Sequence, residues 1–188
     1  MNTAAIRHLS RDELEQGLAD ILASPQDDGR VELIVRRPGT DRRETLESAR
    51  LDTDKGLVGD NWFERGNRDR PDGSADPEMQ LTVMNARVVA LVADAPDRRE
   101  LAGDQLYLDM DLGRDNLPPG TRVSIGSAVI EVTEPPHTGC RKFADRFGRE
   151  AMVFVNSGLG RQRNFRGINA RVVVSGDVRV GDTARKLP

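Results

Sequence analysis

The stretch Leu117-Pro118-Pro119-Gly120-Thr121-Arg122-Val123-Ser124-Ile125-Gly126-Ser127-Ala128-Val129-Ile130-Glu131-Val132-Thr133 decides the fold class. A Pro-Pro-Gly turn leads into a short extended run over 122–125, and Gly126-Ser127 turns the chain into a second run over 128–133. Upstream, Leu106, Leu108, Met110 and Leu112 fall on every second residue, with Tyr107, Asp109 and Asp111 opposite, the period of a half-buried strand. Downstream, residues 169–174, a Ser175-Gly176 turn and residues 178–180 predict a hairpin that finishes at Gly181-Asp182. A run of short strands joined by tight turns predicts a barrel or a sandwich.

Toward the N-terminus, Ser10 followed by Glu13 reads as a capping box that opens a helix through about Ala23, with Leu14, Leu18, Ile21 and Leu22 on one face and Pro25 closing it. Residues 1–25 are therefore expected to form a helical appendage, with one domain over 26–188. Residues 31–36 predict a strand, Pro38-Gly39 a turn, and 45–51 a second extended stretch. From 55 to 77 the glycines, prolines and charges predict a long loop, anchored by Trp62-Phe63. Residues 81–84 predict a strand, and Asn85 a cap on a buried helix through Ala93. Phe143, Phe147, Met152 and Phe154 have helical spacing broken at Gly148, which predicts two short helices meeting there.

Composition narrows the function. A formal net charge of -3 argues against a general nucleic-acid binder. The longest apolar stretches are far too short to span a bilayer, and the N-terminus lacks the apolar core of a secretion signal, so a cytoplasmic location without membrane partners is expected. The single cysteine, Cys140, excludes an internal disulfide. It lies in Pro135-Pro136-His137-Thr138-Gly139-Cys140-Arg141-Lys142-Phe143, just before an expected helix start. Cations beside a thiol favour the nucleophilic thiolate, and helix-start amides favour a bound anion. Beyond it Arg161, Arg163 and Arg166 cluster in one Gly- and Asn-containing loop, residues suited to gripping an oxyanion by a planar fork.

Gly56-Leu57-Val58-Gly59-Asp60, Asp115-Asn116-Leu117, the Pro-Pro-His-Thr-Gly-Cys turn, and Gly167-Ile168-Asn169-Ala170-Arg171-Val172 running to Asp182 together resemble the MOSC domain family, found at the C-terminus of molybdenum cofactor sulfurases and as free-standing bacterial proteins. The resemblance covers the chain from about Val31 onward. It implies an α+β, mainly β fold, a closed or partly closed β-barrel with short flanking helices. It also implies that the signature cysteine carries sulfur as a persulfide or contacts a molybdenum cofactor. Cys140 would then be the nucleophile or molybdenum ligand, and His137 a proton acceptor or merely a backbone hydrogen-bond partner. Thr138, Gly139, Arg141, Lys142, Arg163, Asn164, Arg166, Asn116 and Asp60 are the candidate cofactor-binding residues. Of these, Arg141, Lys142, Arg163 and Arg166 would form an electrostatic clamp, while Asn116, Asn164 and Asp60 would orient polar groups.

The expected partners are an anionic small molecule and a separate sulfur donor such as a cysteine desulfurase, because the large pyridoxal-phosphate domain of full sulfurases is lacking and this chain is not expected to bind that cofactor. Zinc is not expected either, since His137 and Cys140 supply half of the usual four ligands. Whether the chain is an enzyme stays open. Beside the sulfur carrier stand a molybdenum cofactor-dependent reductase of N-hydroxylated compounds and a non-catalytic anion- or partner-binding module.

Overall fold

The structure, a computed structural model, describes residues 6–188, so the first five residues of the expected 1–25 appendage lie outside it. In chain order it contains α1 (Arg11–Gln16), α2 (Leu18–Leu22), β1 (Gly29–Arg36), β2 (Glu44–Leu46), β3 (Ser48–Asp52), β4 (Gly56–Leu57), α3 (Trp62–Arg65), β5 (Leu81–Asn85) and α4 (Ala86–Ala93). There follow β6 (Leu106–Asp109), β7 (Arg122–Ile125), β8 (Ala128–Pro136), α5 (Arg141–Phe147), α6 (Arg149–Val155), α7 (Gly158–Gln162), β9 (Ile168–Val174), β10 (Gly176–Arg179) and β11 (Thr183–Lys186). No helix among the described residues is long and apolar enough to cross a membrane.

Seven strands in the order β11-β7-β8-β9-β5-β6-β1 close into a barrel, with β1 meeting β11 through Gly29↔Ala184 and Arg30↔Thr183. Neighbours run antiparallel except β5 and β6, which pair in parallel through Val83↔Leu106 and Asn85↔Leu108. That pairing requires a crossover, which α4 and a 3-10 turn over Pro96–Ala102 provide. Strand β2 lengthens the sheet beyond β1, and β10, β3 and β4 make a separate small sheet.

Two apolar layers hold this together. Val31, Ile34, Leu81, Val83, Leu106, Leu108, Val123, Ile125, Ile130 and Val172 fill the barrel. On the outer side of β1, β5 and β6, Val35, Met84 and Tyr107 pack under Val88, Val92, Phe143, Phe147 and Phe165, and the N-terminal helices add Leu9, Leu14 and Ile21. The wall of the barrel that carries these strands is therefore buried on both faces.

Several sequence expectations change. The first helix keeps its capping box but breaks at Gly17 into α1 and α2, where a Cβ would strike the Leu91 side chain at 2.6 Å. The stretch 45–51 divides at Glu47 between two sheets: Leu46 pairs with Ile34, and Leu51 with Gly176. Tyr107 is fully buried rather than solvent-facing, because the helical layer covers it. The expected hairpin does not form. Strand β9 pairs with β5 and β8, whereas β10 pairs with β3. Gly176 lies so close to the Ser127 and Ala128 backbone, about 2.3 Å from where a Cβ would sit, that the chain turns a corner there and leaves the barrel. The 55–77 loop contains α3, whose Trp62 is buried while Phe63 is exposed.

Candidate functional site

Strand β8 ends at Pro136 and α5 begins at Arg141, so residues 137–140 form a short link held from behind. Asn156, just past α6, fixes it: its Oδ1 accepts the Gly139 N–H at 2.9 Å, and its Nδ2 donates to the Gly139 carbonyl at 2.9 Å. Cys140 then stands at the N-cap of α5 with its side chain exposed.

The thiol opens onto a cavity of about 300 Å³ lined by six cationic side chains, Arg37, Arg43, Arg65, Lys142, Arg146 and Arg166, against one lining carboxylate, Asp41. Arg37 follows the end of β1, Arg43 precedes β2, Arg65 ends α3, Lys142 and Arg146 lie on α5, and Arg166 precedes β9. A second cavity, of about 570 Å³, shares Arg37, Thr40, Arg65 and Lys142 with the first and continues past Trp62, Met79, Thr82 and Asn169.

Buried carboxylates hold two of the guanidinium groups in place. Asp60 accepts from Arg37 Nε at 2.8 Å and Nη2 at 2.8 Å, as well as from the Arg37 and Trp62 backbone amides, so that one side chain both orients the arginine and starts α3. Asp104 accepts twice from Arg166 Nη1, at 2.9 and 2.7 Å, while Nη2 reaches the Ala102 carbonyl at 3.0 Å and the guanidinium lies 5.1 Å from the Phe143 ring centre. Burial pushes the Asp104 carboxyl up, and the Arg166 charge works against that shift. Lys142 and Arg146 lie 3.6 and 3.4 Å from Asp41. Arg43 and Arg65 have no carboxylate partner among the described residues. Their guanidinium groups are pulled below the ordinary arginine range, mainly by burial and then by neighbouring cations, Arg146 and Arg37 for Arg43 and Arg37 for Arg65.

His137 lies behind this arrangement. Its Nδ1 is 3.6 Å from Asp104 Oδ1, beyond hydrogen-bond reach, and has no partner among the described residues. Burial, with Arg166 and Arg37 adding repulsion, holds the imidazole well below its ordinary value, which keeps it neutral at physiological pH. It lines a different cavity from Cys140, of about 240 Å³, together with Thr138, Arg161 and Asn164. Asp104 is thus 3.6 Å from the His137 imidazole and 2.7 Å from the Arg166 guanidinium.

The sequence candidates thus divide. Lys142 and Arg166 share the cavity with Cys140, and Gly139 and Asp60 support it from behind. Arg163 turns away to Asp111 at 3.2 Å, because 161–166 is not an open loop: Ser157 caps α7, and Asn164 at φ 49° reverses the chain after it. Asn164 donates to the Leu112 carbonyl, and Asn116 ties the carbonyls of Gln26 and Asp111 to Lys186. Arg141 is exposed and does not line the cavity. Sequence reasoning missed Arg37, Arg43, Arg65, Asp104 and Asn156. The pairs Arg36-Arg37 and Arg42-Arg43 beside a turn were the one local signal, and only the closed barrel brings them to Cys140.

A family model described as MOSC domain matches residues 70–185. The fold is similar to the YuaD protein from Bacillus subtilis, at a TM-score of 0.58 and 19% identity over 84% of this chain and 94% of that one. It is also similar to YiiM from Escherichia coli, at a TM-score of 0.53 and 19% identity over 85% and 70% of the two chains. YiiM from Geobacillus stearothermophilus gives a TM-score of 0.56 and 14% identity over 85% and 75%. At such identities the likeness shows the fold. No curated protein matches the chain.

Proposed function

The chain belongs to the MOSC domain family, and from that premise we propose that it carries sulfur: Cys140 accepts a sulfur atom as a persulfide and presents it at a cavity that binds an anionic small molecule. The observation that supports this most is the exposed Cys140 lining the same cavity as six cationic side chains. A thiolate is the form that attacks sulfur, and a persulfide is anionic too, so nearby cations favour both ends of the step. Asp60 and Asp104 keep Arg37 and Arg166 oriented, and Asn156 keeps the link before Cys140 rigid, so little reorganisation is needed when the anion arrives. The sulfur comes from a separate donor.

A second reading is favoured by polar atoms that lie buried around the cavity without partners, Arg43 Nε, Asn61 Oδ1 and Arg166 Nε, and by the second cavity that extends it. Such atoms suit an anionic, many-acceptor ligand, and the residues fit the molybdenum cofactor that the family resemblance implies. Among the described residues no three His, Cys, Asp or Glu side chains converge on a metal position. Cys140 would thus be the protein's ligand to a metal that brings its remaining ligands with it, and Arg37, Arg43 and Arg65 would hold the cofactor's phosphate. When bound, the cofactor would supply oxygen-atom removal from N-hydroxylated compounds.

Mass spectrometry after incubation with a persulfide donor tests the first reading. The expected result is one additional sulfur atom on Cys140 and none on the Cys140→Ser protein. An unchanged mass, under conditions where a control thiol gains sulfur, overturns it. Elemental analysis of protein made in cells that synthesise the cofactor tests the second: molybdenum bound to the wild type and lost from Cys140→Ser supports it, and metal-free wild type overturns it.

A further inference from the structure

The cavity beside Cys140 carries more positive charge than its carboxylates balance. Arg37 and Arg166 are matched by the buried Asp60 and Asp104, and Lys142 and Arg146 share Asp41, while Arg43 and Arg65 stand without a carboxylate partner among the described residues. Six cations against three carboxylates suit a bound dianion. The cavity is small, about 300 Å³, and two buried guanidinium nitrogens on it, Arg43 Nε and Arg166 Nε, have hydrogen atoms with no acceptor among the described residues. Arg166 is only 7% exposed, so water does not readily satisfy it. What this arrangement calls for is a compact, doubly charged oxyanion within reach of a thiol.

We propose that the sulfur donor for Cys140 is a small sulfur oxyanion of the thiosulfate class, held through its sulfonate oxygens by the cations of this cavity. The inference rests on the sulfur-carrying reading above and names its donor. The Cys140 thiolate attacks the outer, sulfane sulfur of thiosulfate. A new S–S bond forms to the cysteine, the S–S bond of thiosulfate breaks, and its electron pair leaves with the sulfonate group as sulfite. The cysteine sulfur is formally oxidised, the sulfonate sulfur is reduced, and the total charge of three negatives is the same on both sides. No proton moves. As the bond breaks, negative charge builds on the departing sulfite, where Arg43 and Arg65 have free donors to offer, so the same cations bind the donor and stabilise its leaving group. A bound anion also offsets the desolvation and the mutual repulsion that pull the Arg43 and Arg65 guanidinium groups down. A cyanide or thiol acceptor then takes the outer sulfur and returns the thiolate.

The test uses the full chain, loaded in parallel with thiosulfate and with cysteine hydropersulfide, a donor that lacks a sulfonate head, with the persulfide read by mass spectrometry and turnover by thiocyanate formed from cyanide. The expected result is that both donors load Cys140. Arg43→Gln and Arg65→Gln are each expected to raise the thiosulfate KM about tenfold, the scale of one charge-assisted hydrogen bond, and to slow loading by the hydropersulfide far less, since for that donor they act only on the thiolate and the persulfide and not on a sulfonate head. Arg11→Gln, in an exposed pair with Glu15, should alter neither. Both tested arginines line the partly open cavity, so circular dichroism melts confirm that the variants fold. Loading by the hydropersulfide but not by thiosulfate overturns the donor assignment and leaves the carrier reading standing. Thiosulfate loading that is indifferent to both substitutions also overturns it, and failure of both donors overturns the carrier reading as well.

Discussion

Arg166 shows how one side chain serves both the fold and the site. It is buried against Asp104, touches the Ala102 carbonyl and Phe143, and still faces the cavity beside Cys140. Replacing it with methionine leaves the Asp104 carboxylate buried without its cation, which is expected to cost about 3–5 kcal/mol of stability. The double variant Arg166→Met with Asp104→Asn should recover most of that loss, and chemical denaturation measures both. His137 adds a pH dependence of definite sign. Its folded value lies well below the ordinary 6.5, so the unfolded chain takes up a proton that the folded chain refuses. Its contribution to stability is therefore complete above about pH 6.5 and falls as the pH drops below that, by at most about 1.4 kcal/mol per pH unit. Among the groups packed around it, Arg166 and Arg37 push in the same direction, while the Asp104 carboxylate is engaged by Arg166. His137→Gln should flatten this acid limb in denaturation curves collected from pH 7.5 down to about 5, and an unaltered limb would mean that the imidazole is charged in the fold.

Elements with their own local signals were legible in the sequence. The capping box at Ser10, the Asn85 cap and the break at Gly148 all rest on contacts within a few residues, and all appear where the sequence placed them. The pairing of strands was less legible. Residues 169–174 and 178–180 look like the two arms of a hairpin, yet the choice between a turn and a corner depends on whether Gly176 meets the backbone at Ser127, some fifty positions away in the chain. Strand β11, which closes the barrel, has the weakly alternating sequence Thr-Ala-Arg-Lys and only Ala184 buried, so its apolar pattern carries almost no signal. Gly167 marks a tight point between elements. It has φ 114°, and a Cβ there would sit 2.3 Å from the Val83 carbonyl oxygen of β5. Gly167→Ala should thus lower stability by about 1–3 kcal/mol from the backbone conformation alone. Because Arg166 immediately precedes it, the variant should also slow alkylation of Cys140 by anionic reagents. A melt within error of the wild type would show that the two strands are free to separate there.

At the scale of the molecule, the barrel places charges from distant parts of the chain around one thiol. Arg37, Arg43 and Arg65 come from the first half of the sequence, and Lys142, Arg146 and Arg166 from the last third, so the cavity has no contiguous signature. Cys140 and its neighbour Lys142 were readable because they are close in sequence. The expected Arg161, Arg163 and Arg166 cluster was not, because the helical turn of α7 and the reversal at Asn164 send the three side chains in different directions. Net charge was equally uninformative: a chain at -3 overall still builds a cavity where cations outnumber the carboxylates that touch it.

The most direct measurement of that central feature compares the rates at which Cys140 is alkylated by iodoacetate, which is anionic, and by iodoacetamide, which is neutral, each normalised to free cysteine. A thiol facing a cation-lined cavity should favour iodoacetate by about tenfold at low salt, and the preference should fade toward 1 M salt, where the screening length falls to about 3 Å. Equal normalised rates at low salt would contradict the account.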